Sequence, residues 1–180
     1  MRILVIRLSA IGDVMHATAV VHNLRLGLPD AHITWLVSPP ADELLQNNPD
    51  IDCVLTWDRR PLDEAFSKGR YLESINLLKE ARGVIRQHSY DIALDLQGLF
   101  LTGLLSFFTG AKRRIGIHER HEGNSFFMTE MAPFADSPHK IHSYMTALRP
   151  LGVDSFTPGP VLALSAGKKL WAQKSWQNLG

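Results

Sequence analysis

Residues 2–6, Arg-Ile-Leu-Val-Ile, make an almost wholly apolar run rich in β-branched side chains, which suits a strand covered on both faces. After Gly12 the apolar residues change to helical spacing. Val14, Ala17, Val21, Leu24 and Leu28 recur every three or four positions, and Pro29-Asp30 closes the pattern. A doubly buried strand followed at once by an amphipathic helix opens a parallel α/β sheet, because crossover helices are what cover such a strand on both sides. The loop between them, within RLSAIGDV (residues 7–14), presents Ser9 and Gly12 as small residues that allow close approach. It also sets Asp13 in the first helical turn, at the mouth of the cleft such sheets form.

The alternation continues along the chain. Strands are expected at His32–Val37 and Ile51–Trp57, with a short helix at Ala41–Gln46 and a turn at Asn47-Asn48-Pro49-Asp50 between them. Residues 58–70 are polar. A long helix follows from Tyr71 to His88, with Leu72, Ile75, Leu78, Ala81, Val84 and Ile85 on one face. Tyr90–Leu96 reads as a fourth strand ended by Gln97-Gly98, Leu99–Phe108 as an apolar helix sandwiched in the core, and Arg114–Ile117 as a short fifth strand. Residues 118–140 are irregular, and helical spacing returns from Ile141 to Leu151. With right-handed crossovers and strand order 3-2-1-4-5, strands one and four meet at the switch point, so Asp13 and Gln97 share a crevice. The two prolines and two glycines of residues 152–160 form the one convincing boundary.

Several function classes are disfavoured. A net charge of +1 gives no global field for nucleic acid. Neither G-x-G-x-x-G nor G-x-x-x-x-G-K-[ST] occurs, which argues against a dinucleotide dehydrogenase and a P-loop NTPase. The single cysteine, Cys53, falls in a strand and reads as a buried, inert thiol, and the histidines lack zinc spacing, so no metal site is expected. No apolar run approaches the roughly 18 residues of a membrane span, and no signal segment opens the chain. The expected location is the cytoplasm.

Asp13 has two readings. A carboxylate at a helix start caps backbone N–H groups, worth about 1 kcal/mol. One facing a cleft, with His16 a turn further on, can act as a general base, although a helix N-terminus favours its ionised form and so weakens it. Arg59, Arg60, Lys112, Arg113, Arg114 and Arg120 form either a solvated surface or a grip on an acidic ligand. Gln97 serves either the next turn or a ligand, and His118, His121, His139 and His142 read as packing and surface.

RLSAIGDVMHATAVV followed by PDAHITWLV, then DIALDLQGL and the RRIGI strand, resembles the amino-terminal half of glycosyltransferase family 9, the ADP-heptose:lipopolysaccharide heptosyltransferases. The resemblance runs from Met1 to about Val153. It implies a Rossmann-like parallel sheet flanked by helices, the N-terminal half of the two-domain GT-B architecture. Residues 1–153 are then an acceptor-binding domain, and residues 154–180 a linker and the start of a donor-binding domain. The implied reaction is inverting transfer of heptose from ADP-heptose to the acidic, Kdo-bearing inner core of lipopolysaccharide, with ADP-heptose as donor substrate and no cofactor. By motif, Asp13 matches the proposed general base. Ser9, Gly12, Arg59, Arg60, Gln97, Gly98 and Arg120 match the acceptor side, and no donor-binding residue falls in this chain. The resemblance further implies a full-length monomer that touches the cytoplasmic face of the inner membrane, and inactivity of these 180 residues alone. The chain departs from the family at Leu101, where many members carry lysine. A non-catalytic module binding an acidic glycan or nucleotide, and a same-fold transferase of another sugar, stand as alternatives.

Overall fold

The structure, a computed structural model, describes residues 1–118, 123–135, 137, 139–154, 157, 159–163 and 166–179. Six strands form one parallel sheet: β1 (Arg2–Ile6), β2 (His32–Val37), β3 (Cys53–Thr56), β4 (Ile92–Asp95), β5 (Arg113–Gly116) and β6 (Glu130–Met131), in the order β3-β2-β1-β4-β5-β6. The helices are α1 (Ile11–Gly27), α2 (Arg60–Ser67), α3 (Tyr71–Ile85), α4 (Phe100–Phe108), α5 (Lys140–Met145) and α6 (Ala166–Leu179), with 3-10 turns at Ala41–Leu44, Asn124–Phe127 and Thr146–Leu151.

The central strand behaves as its composition demands. Ile3 and Val5 face a core built with α1 and α5, through Val14, Ala17, Val21, Leu24, Tyr144 and Met145. Leu4 and Ile6 face the other core, with Leu62 of α2, Ala81 and Ile85 of α3, and Leu105 of α4. Asp95 at the end of β4 pairs in register with Ile6 at the end of β1, so the two loops that follow lie side by side, as strand order 3-2-1-4-5 requires.

Several elements differ from the sequence reading. The polar segment after β3 contains α2, whose Leu62 and Ala65 are buried; its apolar face is too short to stand out. Glu130 and Met131 add a sixth strand beside Ile115 and Gly116, in a region that lacks strand periodicity. The helix expected from Ile141 to Leu151 changes to a 3-10 turn at Thr146, ahead of Pro150. On α3, Leu72 and Ile75 are 82% and 48% exposed, and Ser74 is buried in their place. Cys53 is only partly buried.

Helix α4 buries Leu105 as expected but not Phe100 or Phe107. Its polar and small residues Thr102, Gly103 and Ser106 are buried, while Phe100 and Phe107 are exposed. Thr102 Oγ1 accepts from Leu99 N–H (3.0 Å) and closes the helix start. Gly103 lets the helix meet the 124–127 turn. A Cβ there would come within 2.8 Å of Phe127 and 3.0 Å of the Asn124 backbone. Gly103→Ala should therefore cost about 1–3 kcal/mol by overpacking, despite the helix propensity of alanine. Gly83→Ala, at an exposed position of α3 where a Cβ meets nothing within 4 Å, should stabilise by about 0.5–1 kcal/mol. Urea unfolding of the two variants should show midpoints moving in opposite directions.

Candidate active site

The loop after β1 is held by the strands on either side of it. Arg7 N–H donates to Leu36 O, and the Arg7 carbonyl accepts from the Trp35 indole (3.2 Å). Leu8 N–H donates to Gln97 Oε1 (2.8 Å), and its carbonyl accepts from Ser38 N–H (3.0 Å). The Ser9–Ala10 peptide is cis. Backbone groups of Arg7 and Leu8 are thus satisfied by β2 and the end of β4 before α1 begins.

Asp13 stands in the first turn of α1, yet it does not cap the helix. The cap position is Ala10, which makes no side-chain cap bond. Among the described residues the carboxylate turns instead to the side chains of Arg7, Tyr144 and Lys140. Arg7 Nη2 lies 2.5 Å from Oδ2, the Tyr144 hydroxyl donates to Oδ1 (3.1 Å), and Lys140 Nζ lies 3.4 Å from Oδ1. The Arg7 side chain is only 5% exposed against 25% for Asp13, so the pair reaches from the core to the crevice surface. Arg7 also donates through Nη1 to Leu96 O (2.7 Å) and lies over the Tyr144 ring, 5.1 Å from its centroid. Partial burial works to raise the Asp13 pKa. The Arg7 charge outweighs it, together with the Tyr144 hydroxyl, the Lys140 charge and the Arg7 hydrogen bond, and holds the carboxyl below its ordinary value.

The end of β4 supplies the other wall. Asp95 is fully buried and accepts from Gln97 N–H (3.0 Å) and Gly98 N–H (3.1 Å), with Asn124 Nδ2 at 3.4 Å. Burial pushes its carboxyl above the usual range, against the pull of those donors. Gly98 takes φ +73°, which suits a residue without Cβ. Gln97 itself is buried, and its side-chain oxygen holds the β1 loop, so it builds the crevice wall. Ser9 is half-buried in the loop. Gly12 is exposed, and a Cβ there would meet nothing within 4 Å, which leaves open space beside Asp13.

The structure therefore brings Ser9, Gly12, Asp13, Gln97 and Gly98 together at the β1–β4 switch point. Arg59 and Arg60 stand after β3, two strands away in the sheet, on the same carboxyl edge. Arg59 Nε donates to Asp63 (3.0 Å), and Arg60 holds Asp58 through Nε and Nη2. Arg59 also borders a groove of about 620 Å³ between α2, α3 and α4, lined by Leu62, Phe66, Ile75, Leu78, Phe100 and Leu104. Arg120 lies outside the described residues. Arg113 and Arg114 belong to the opposite, amino edge of the sheet, where Arg113 pairs with Glu130 (2.8 Å) and Arg114 donates to Phe127 O and Ala111 O. They are structural and leave the basic grouping read from the sequence.

Sequence reasoning missed Arg7, Asp95, Lys140 and Tyr144. Arg7 carried a signal, since a charge between buried Ile6 and Leu8 must find partners. Tyr144 carried none, because helical spacing assigns it to the core. His16, His139 and His142 gather beside the site, with ring centroids 6.1 Å and 6.0 Å apart along the row. Among the described residues no group of three or more His, Cys, Asp or Glu side chains could hold a metal ion.

Residues 79–178 match glycosyltransferase family 9 (heptosyltransferase). The lipopolysaccharide core heptosyltransferase OpsX of Haemophilus influenzae is 30% identical over 163 residues, 89% of this chain and 43% of that protein. A lipopolysaccharide heptosyltransferase 3 of Escherichia coli is 25% identical over 147 residues, 80% of this chain and 41% of that protein. A glycosyl transferase family 9 structure from Veillonella parvula shares the fold with a TM-score of 0.79 at 24% identity, covering 99% of this chain and 49% of that one. Heptosyltransferase WaaC of E. coli with ADP-2-deoxy-2-fluoro heptose does so with a TM-score of 0.72 at 18% identity, covering 88% and 51%. The chain spans under half the length of both relatives and about half that of both structures. On the family match and the similarity to OpsX, the chain belongs to glycosyltransferase family 9.

Proposed function

We propose that this chain is the acceptor-binding half of an inverting heptosyltransferase, which moves heptose from ADP-heptose to the acidic inner core of lipopolysaccharide. The observation that carries this reading is the Asp13 carboxylate, held charged at the β1–β4 switch point with open space at Gly12 beside it. Family membership and relatives named as lipopolysaccharide heptosyltransferases support the choice of reaction. Residues 1–153 bind acceptor, and the chain from residue 154 leads toward a donor-binding domain.

Asp13 Oδ1 accepts the proton of the acceptor hydroxyl as that oxygen bonds to the anomeric carbon from the face opposite ADP. The bond from carbon to the ADP phosphate oxygen breaks, and ADP leaves with the electron pair. A carboxylate held below its ordinary pKa is a weak base at rest. It takes the proton late, once positive charge on the attacking oxygen has made that proton acidic. Arg59 and Arg60 exchange their partners Asp63 and Asp58 for the acid groups of the acceptor. The exchange costs little, because exposed ion pairs contribute only about 0–1 kcal/mol. Contact with a membrane face and a monomeric state belong to the same proposal. Among the described residues no helix is long and apolar enough to cross a membrane.

Titrating the chain calorimetrically with a deacylated, Kdo-bearing core oligosaccharide should give saturable binding that salt and a paired Arg59→Ala, Arg60→Ala change both weaken. ADP-heptose should give none. Binding of the nucleotide sugar without the oligosaccharide would overturn the assignment of this half to the acceptor.

In a chain of the relatives' length, Asp13→Asn should lower kcat by about a hundredfold to ten-thousandfold. It should also cost about 1–3 kcal/mol of stability, less than for a fully buried pair because Asp13 keeps partial exposure. Kinetics are therefore compared well below the melting transition. Since folding lowers the Asp13 pKa, its contribution is full above the unfolded-state value and is lost as pH falls through the folded one. Denaturation midpoints of wild type and Asp13→Asn should converge on acidification; a constant gap would contradict the ion pair.

A further inference from the structure

We propose that Tyr144 is the positioning residue for Asp13. From α5 its ring lies against the Arg7 guanidinium while its hydroxyl donates to Asp13 Oδ1, so one side chain orients both members of the ion pair. The inference rests on the reading of Asp13 as the general base and assigns a role to a residue of a third element.

An aspartate carboxylate has rotational freedom of its own. Its terminal torsion is broad and roughly two-fold, so a single donor leaves the carboxylate free to swing. Here the two oxygens are taken by different elements. Arg7, after β1, takes Oδ2 at 2.5 Å, and Tyr144, on α5, takes Oδ1 at 3.1 Å. Two donors on two oxygens fix the carboxylate plane, and Lys140 Nζ approaches Oδ1 as well, at 3.4 Å.

Packing alone gives no reason for a phenol at this position. Tyr144 is completely buried among Ile141, Met145 and Leu148, and its ring would serve the core equally well as phenylalanine. A buried hydroxyl needs a partner, and this one reaches across from α5 to a carboxylate on α1. The contact has two opposed effects. It aims the oxygen that is to receive the proton, and it also stabilises the charged carboxylate, which lowers its appetite for that proton. Removing the hydroxyl should make Asp13 easier to protonate and slower in catalysis, a combination that a general loss of packing does not produce.

The test is a carbon-detected NMR titration of the Asp13 carboxyl in the chain and in Tyr144→Phe. Among the described residues, the groups facing Asp13 are Arg7, Lys140 and Tyr144, with His16 a turn along α1 and His139 adjacent to Lys140. Lys140→Met serves as the control that removes a charge without releasing the Tyr144 bond. The Phe variant should shift the Asp13 midpoint to higher pH, and in the wild type the Tyr144 Cζ resonance should follow the Asp13 titration, a readout that needs no variant. In a transferase of the relatives' length, Tyr144→Phe should lower kcat roughly tenfold to a hundredfold with the acceptor KM unchanged. An unmoved Asp13 midpoint in a folded Phe variant, or a Tyr144 Cζ resonance indifferent to Asp13, would overturn the proposal. Absence of transfer in the wild type would instead count against the base reading, and the titration would still decide whether Tyr144 positions Asp13.

Discussion

A guanidinium that is buried has to be answered by its surroundings, and the answer to Arg7 organises this site. The doubly covered strand β1 carries Arg7 out of the sheet between Ile6 and Leu8, both fully buried. Among the described residues it meets the Leu96 carbonyl at the end of β4, the Tyr144 ring from α5 and the Asp13 carboxylate from α1. Desolvating such a charge is expensive unless partners and hydrogen bonds compensate, so these elements hold one arrangement around it. The Asp13 carboxylate, the proposed base, is the outer end of a chain of contacts that starts in the core.

The architecture was legible because β1 is apolar on both faces and the helix after it is not. Those two facts imply crossovers, a parallel sheet and a switch point between β1 and β4, and from these the juxtaposition of Asp13 with Gln97 follows. Local signals failed where tertiary contact decides. Helix α4 looks apolar, yet Thr102, Gly103 and Ser106 are buried alongside Leu105, and Gly103 is where the 124–127 turn makes its close approach. The capping reading of Asp13 was a sound inference from position. It gave way because Arg7, six residues earlier and folded back across the loop, is a stronger partner than a backbone N–H. Tyr144 could not be found from spacing, since its role depends on how α5 packs against α1.

The two arginines after β3 differ in kind from Arg7. Arg59 and Arg60 sit at a partly exposed edge with carboxylates from their own turn, in pairs that are cheap to exchange. The core-anchored pair fixes geometry, whereas the rim pairs are held by more exposed carboxylates. Leu101 lines the apolar groove that Arg59 borders and adds no charge to that rim.

The central claim is that the acceptor hydroxyl meets Asp13 Oδ1 at the β1–β4 crevice. A structure of the chain with a Kdo-bearing core oligosaccharide bound would test it most directly. An acceptor hydroxyl should lie within hydrogen-bond reach of Asp13 Oδ1, in the place now approached by Lys140. An acceptor seated in the groove between α2, α3 and α4, with no hydroxyl near Asp13, would contradict it.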